Sequence, residues 1–177
     1  MLQRNIFIAI NLIFGFVLLY SYYRGITNNP GIGEKLWGGV PKSLTPYIIY
    51  SMFISALGYF FFTYYILFKV DFNSIKIFNQ FNFSFFIIIY LLILIPSCFW
   101  IDLSIAYINS PNQILWILIC SILYTVGISS LILLISLYNI RPQETSILFN
   151  ISFIGCIFFT IHTVFLDGLL WTIFFHK

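Results

Sequence analysis

The chain has 177 residues, 61% of them hydrophobic and 7% charged, with a formal net charge of +3 and a mean hydropathy of +1.02. This lies far outside soluble globular usage and reads as one membrane domain. The few charges are spread over short loops with no basic run, which excludes nucleic-acid binding and a polybasic patch for anionic lipid.

Five apolar stretches follow in chain order, each long enough to cross about 30 Å of hydrocarbon. The first covers 5–23, after Met1-Leu2-Gln3-Arg4, and reaches Tyr23 with no small-residue cleavage site behind it. It therefore reads as a retained span rather than a removed signal. A long Gly/Pro-rich loop, 24–45, comes next, with Leu36, Trp37 and Val40 as apolar groups that can fold back on the helices. Loops of this length without helix or strand signals are commonly lids, binding loops or disordered. Its glycines make neither GxxxxGK[ST] nor GxGxxG, so they do not read as a phosphate cradle.

The second span, 46–69, carries Ser51, Ser55 and Gly58 and ends at the polar break Asp71, Asn73, Ser74 and Lys76. The third, 83–108, contains Pro96, expected to kink it just before Ser97 and Trp100, and stops at Asn109-Ser110-Pro111-Asn112. The fourth, 113–140, carries Ser121, Thr125 and Ser129 and is ended by Arg141-Pro142. The small residues of spans two and four read as seams for close helix approach, within the chain or between copies in a homo-oligomer. The fifth, 147–175, is longer than a span needs and is expected to tilt or project. Continuous hydrophobicity of this length means helices, because lipid forces the backbone to satisfy itself. The expected fold is an all-α membrane protein: a single integral membrane domain over 1–177, with five transmembrane helices in one bundle and one long loop between helices 1 and 2.

Counting spans places loop 24–45, the Asn109–Asn112 turn and the C-terminus on one side. Trp37, Trp100, Trp116 and Trp171 all fall toward it. Orientation stays open: Arg4, Lys69, Lys76 and Arg141 face Arg24, Lys35, Lys42 and Lys177 across the bilayer, four against four. Cys98, Cys120 and Cys156 are isolated in apolar segments, with no CxxC or Cys/His pairing, and read as buried small hydrophobes.

Asp102 and Asp167 are the only carboxylates inside the apolar segments, and both lie toward the tryptophan side. An ionisable group in a span is costly and marks a site or a structural pair. In span five Ser152, Cys156, Thr160, Thr163, Asp167 and Trp171 recur at spacings of three and four, a stripe expected to face the bundle interior. Asp167 is open to a ligand-contacting role, or to being neutral or capping a backbone group. Asp102 is open to the same role, or to reaching headgroup water or capping the Asn109 turn. His162 precedes Asp167 by five residues, about 140° around an α-helix, so a His/Asp relay between them is not expected. The candidate ligand-binding residues are Trp37, Tyr50, Trp100, Asp102, Trp116, Thr163, Asp167 and Trp171, flanked by Tyr20, Tyr23 and Ser51. No catalytic residue, metal set or cofactor is assigned.

These residues carry a resemblance. Five spans with a long Trp/Pro loop after the first is similar to the TspO/MBR (translocator protein) family. Leu36-Trp37-Gly38-Gly39-Val40-Pro41, followed by Pro46, resembles the family's Trp and double-Pro segment. Trp100-Ile101-Asp102-Leu103 falls where the family has Trp-x-Pro-Leu. Thr163-x-x-Leu166-Asp167 with Trp171 resembles its Thr-x-x-Leu-Asn-x-x-x-Trp ending, with Asp for Asn. The chain departs from the family in lacking an adjacent Pro-Pro pair and a tryptophan in span two. The resemblance implies a loop folded over a pocket that accepts tetrapyrroles and other hydrophobic ligands.

The expected function is binding or moving a small hydrophobic or amphipathic ligand, tetrapyrrole- or lipid-like, in a cavity covered by loop 24–45. The competing class is a small membrane enzyme acting on a lipid or isoprenoid, with Asp102 or Asp167 as acid/base, although five carboxylates and two histidines offer few convergent groups. A membrane assembly subunit without a small ligand is a further class. A transporter or channel finds no discontinuous helix or charge ring in its favour.

Overall fold

A computed structural model of the chain describes residues 2–144 and 146–175. Five of its helices are long and apolar enough to cross a membrane, which fits a multi-pass integral membrane protein. They are α1 (Leu2–Thr27), α3 (Thr45–Phe68), α4 (Ser84–Asn109), α5 (Gln113–Asn139) and a last span made of α6 (Ile147–Ile161), a π-helical stretch His162–Trp171 and α7 (Thr172–Phe175). A four-residue helix, α2 (Ile32–Lys35), lies between α1 and α3.

The first span is longer than expected at both ends. Nothing between Tyr23 and Thr27 breaks a helix, and the chain turns only at Asn28-Asn29-Pro30. There Asn29 Nδ2 donates to Gly25 O, a carbonyl the last turn leaves open, and Thr27 Oγ1 bonds back to Tyr23 O. Arg24 thus belongs to α1 rather than to the loop, and α2 shortens the irregular segment further. Elsewhere the boundaries move by a residue or so. Pro46 sits in the first turn of α3, where its missing N–H costs nothing. Asn112 accepts from Leu115 N at 2.9 Å to start α5, and Ser146 accepts from Phe149 N at 3.2 Å to start α6. Helix α4 runs through Pro96, and beside the missing donor Ser97 Oγ bonds Ile93 O at 2.7 Å.

The closest helix contact joins α3 and α6 at Gly58 and Gly155. Their backbones approach so nearly that a Cβ on Gly58 would sit 2.5 Å from Gly155 O. Ser55 Oγ donates to Phe158 O at 3.2 Å and Ser152 Oγ to Phe61 O at 3.0 Å on either side of this crossing. Helix α4 packs against α1 and α5, and α5 against α6 and the π-helical stretch. Helix α1 touches α3 only lightly, with Tyr59 OH donating to Asn11 Oδ1 across that seam.

The seam expected in span two is present at Ser55 and Gly58, and of the one expected in span four only Ser129 is buried. Ser121 and Thr125 bond their own helix carbonyls, Ile117 O and Ser121 O, and the inward small residues are Gly127, Ser129 and Ser130. Residues four apart share a face, but that spacing does not say which face is inside. The polar break after span two also folds back. Val70 and Ile77 are buried against the core, and the tight turn between Ile77 and Phe81 is tied to α5 by Phe78 N donating to Asn139 Oδ1 at 2.6 Å. In this turn region Ser74 Oγ and Asn73 N bond the Asp71 carboxylate and hold it below the usual carboxylate range.

Candidate functional site at the tryptophan-bearing end

The loop between α1 and α3 is seated on the end of the last span. Gly39 N donates to Phe174 O at 3.0 Å, and Trp171 Nε1 donates to Leu36 O at 2.8 Å. Below it the aromatic rings touch one another. Trp100 and Trp171 meet edge to face at 5.6 Å, Trp116 stacks on Trp171 at 6.2 Å, and Phe175 stacks on Trp171 at 4.1 Å. Tyr22 of α1 stacks on Trp100 at 5.8 Å, and Trp37 of the loop packs against the same cluster. The four tryptophans thus lie at one end of the molecule and three of them form a continuous wall.

The two carboxylates have different surroundings. Asp102 pairs with Arg24 across α1 and α4, both side chains being nearly half exposed. An exposed pair of this kind contributes about 0–1 kcal/mol, so its main consequence is to neutralise Asp102 and join the two helix ends. This partner is legible only if Arg24 is placed in α1, on the same side as the end of α4. Asp102 therefore neither caps the Asn109 turn nor stands free. The Asn112 side chain caps α5 instead.

Asp167 lies in the π-helical stretch, and there the expected separation from His162 is overturned. His162 Nε2 stands 3.5 Å from Asp167 Oδ1. A π-helix pairs residue i with i+5, whereas an α-helix would leave them on different faces. The other ring nitrogen, His162 Nδ1, lies 3.1 Å from Ser51 Oγ on α3. A chain Ser51–His162–Asp167 thus crosses from α3 into the last span. With Asp167 ionised, Nε2 carries the imidazole proton and Nδ1 is left to accept from the Ser51 hydroxyl. The Asp167–His162 separation exceeds that of a good hydrogen bond and acts as an electrostatic contact. His162 keeps 10% of its side chain accessible and Asp167 37%, so the histidine is enclosed while the carboxylate retains an open face. Ser51 belongs to α3, so the histidine sits where α3 meets the last span.

The π-helical stretch is held by its neighbours. Thr163 Oγ1 and Ser130 Oγ are 2.7 Å apart, Thr160 Oγ1 donates to Ser130 O at 3.1 Å, and Gly127 lets α5 approach the Thr163 carbonyl. Of the expected stripe, Ser152, Cys156, Thr160, Thr163 and Trp171 are buried and Asp167 is half-buried. π-Helical turns are rare and recur at functional sites.

Two buried polar atoms on α4, Trp100 Nε1 and Ser104 Oγ, have no hydrogen-bond partner among the described residues. Two surface clefts are present, and neither reaches the carboxylates. One, of about 570 Å³, lies between the loop and the first turns of α3 and is lined by Trp37 and Tyr50 among others. The other, of about 160 Å³, lies between α5 and the π-helical stretch and includes Thr163. Trp100, Asp102, Trp116, Asp167 and Trp171 line neither, and Tyr20 and Tyr23 point outward from α1. Beneath the loop the rings of Trp100, Trp116, Trp171 and Phe175 touch one another. Among the described residues, no group of three or more His, Cys, Asp or Glu side chains is placed to hold a metal ion.

Compared with protein-family models, curated proteins and solved structures, the chain has no match.

Proposed function

We propose that the five spans form one bundle that binds a small amphipathic ligand at its tryptophan-bearing end, with Asp167 as the polar anchor. The observation that carries this reading is an accessible carboxylate inside an apolar span, backed by His162 and Ser51 and set beside an aromatic wall. Ionisable groups in membrane spans are costly and are kept at sites or pairs; Asp102 has its cation, whereas Asp167 has only an imidazole. Aromatic walls with a few polar groups suit hydrophobic ligands. The ligand enters laterally, through the lightly packed seam between α1 and α3, because the loop is seated on Trp171 and Phe174. The similarity of the Trp37 loop and of the Thr163–Trp171 segment to the TspO/MBR family supports the same class of ligand, tetrapyrroles included.

Titration of the detergent-purified protein with protoporphyrin IX, read by quenching of tryptophan fluorescence, is the test. Asp167→Ala is expected to weaken binding roughly ten-fold or more, as loss of a hydrogen bond to a charged group does, with an unchanged far-UV circular dichroism spectrum. Equal affinity in the two proteins, or no saturable quenching in the wild type, would overturn the reading.

The Ser51–His162–Asp167 chain favours a second reading, an enzyme acting on a lipid ester. Its order is nucleophile, base and orienting group, which moves the expected acid/base role away from Asp102. Here Ser51 should react with a fluorophosphonate probe, and His162→Ala should abolish the labelling. Absence of Ser51 modification in the wild type leaves the chain as an anchor for binding alone.

A further inference from the structure

A cleft between the loop and the start of α3 is lined by residues other than Asp167. The open cleft of about 570 Å³ between the loop and the first turns of α3 falls within the volume range of small-molecule sites. Its surface is apolar and aromatic at Trp37, Val40, Ile49 and Tyr50, and Glu34 and Lys42 line it with opposite charges. The cleft opens where α3 begins, and Tyr50, which lines it, and the neighbouring Tyr47 are 68% and 72% exposed, the position of an interfacial aromatic belt. Glu34 and Lys42 form no ion pair with each other or with any other described residue. Two opposite charges that share a cleft without closing on each other match a ligand carrying both signs.

We propose that this cleft holds the headgroup of a zwitterionic phospholipid. The Lys42 ammonium faces the phosphate and the Glu34 carboxylate faces the headgroup ammonium, which Trp37 and Tyr50 flank with their rings. Val40 and Ile49 then lie along the start of an acyl chain. A single-sign lipid would leave one of the two charges unmatched, and a lipid without a headgroup would leave both.

Native mass spectrometry of the detergent-solubilised protein tests this with dioleoyl phosphatidylcholine, dioleoyl phosphatidylglycerol and dioleoylglycerol as probes. Phosphatidylcholine is expected to be retained most strongly. Lys42→Gln should lower retention of both phospholipids roughly five-fold, the scale of one Lys contact at a lipid surface. Glu34→Gln should lower phosphatidylcholine alone. Both Gln variants alter exposed side chains, and matching circular dichroism spectra establish that they are folded. Equal retention of phosphatidylcholine and dioleoylglycerol by the wild type, or equal effects of Glu34→Gln on the two phospholipids, would overturn the proposal.

Discussion

Gly58→Ala is expected to part α3 from α6 and to be the most destabilising single-methyl change in the protein. The new Cβ would lie 2.5 Å from Gly155 O and 2.8 Å from Gly155 Cα. These are backbone atoms of a helix, so no side-chain rotation relieves the contact and the helices must separate. Overpacking of this kind costs about 1–3 kcal/mol, and the Ser55–Phe158 and Ser152–Phe61 bonds flanking the crossing would lengthen, at about 0.5–1.5 kcal/mol each. The gain in helix propensity from Gly to Ala, about 1 kcal/mol, offsets only part of this. Gly155→Ala, whose Cβ would meet Gly58 Cα at 2.7 Å, should behave alike. Gly127→Ala, at 3.3 Å from Thr163 O, should be milder, and Gly15→Ala, with nothing within 4 Å, should be neutral or stabilising. Thermal unfolding in detergent, followed by tryptophan fluorescence, checks the order. A Gly58→Ala protein as stable as Gly15→Ala would refute the packing described for these two helices.

The second large effect is expected at Gly38, where a substitution should lift the loop from the end of the last span. Gly38 has φ +54°, and a Cβ there would meet the Cα and carbonyl oxygen of Phe175 at 2.8 Å. Val at this position adds about 1–2 kcal/mol for the left-handed backbone and about 1–3 kcal/mol for the clash. The two hydrogen bonds that seat the loop, Gly39 to Phe174 and Trp171 to Leu36, return about 0.5–1.5 kcal/mol each. The strain is therefore at least comparable with what holds the loop, and the loop gives way before the long helix does. Gly38→Val should red-shift the fluorescence of Trp37 and Trp171 and speed proteolysis between Asn28 and Leu44, while the unfolding temperature changes little. An unchanged emission maximum together with unchanged proteolysis would show that the loop is not seated in this way. Measured with protoporphyrin IX, the same variant also separates lateral entry, which the loop does not obstruct, from entry beneath the loop.

Much of this molecule is legible in its amino-acid sequence. The five spans follow from runs of apolar residues against the length of a bilayer, a local and additive property. The shared side of the four tryptophans follows from counting those spans, and the fold brings Trp100, Trp116 and Trp171 into contact. The seam at Ser55 and Gly58 and the polar stripe leading to Asp167 are also visible as patterns. What is not visible depends on register and on which face is turned inward. In a membrane protein the lipid-facing and core-facing sides of a helix are both apolar, so the periodicity that separates them in water carries little information. Ser121 and Thr125 therefore cannot be told from Ser129 and Ser130 by spacing.

The aspartates show the same division. Their presence in apolar spans, and on one side, is a property of the chain. Their partners are set by three-dimensional contacts: Arg24 reaches Asp102 because α1 continues one turn beyond its apolar run, and His162 reaches Asp167 because the last span winds as a π-helix. An α-helical wheel drawn from the sequence separates the second pair. The contacts of Thr160 and Thr163 with Ser130 of α5 hold the stretch whose winding brings it together. Hydrophobic length decides where this chain crosses the membrane, whereas packing between neighbouring spans decides which of its few polar groups meet.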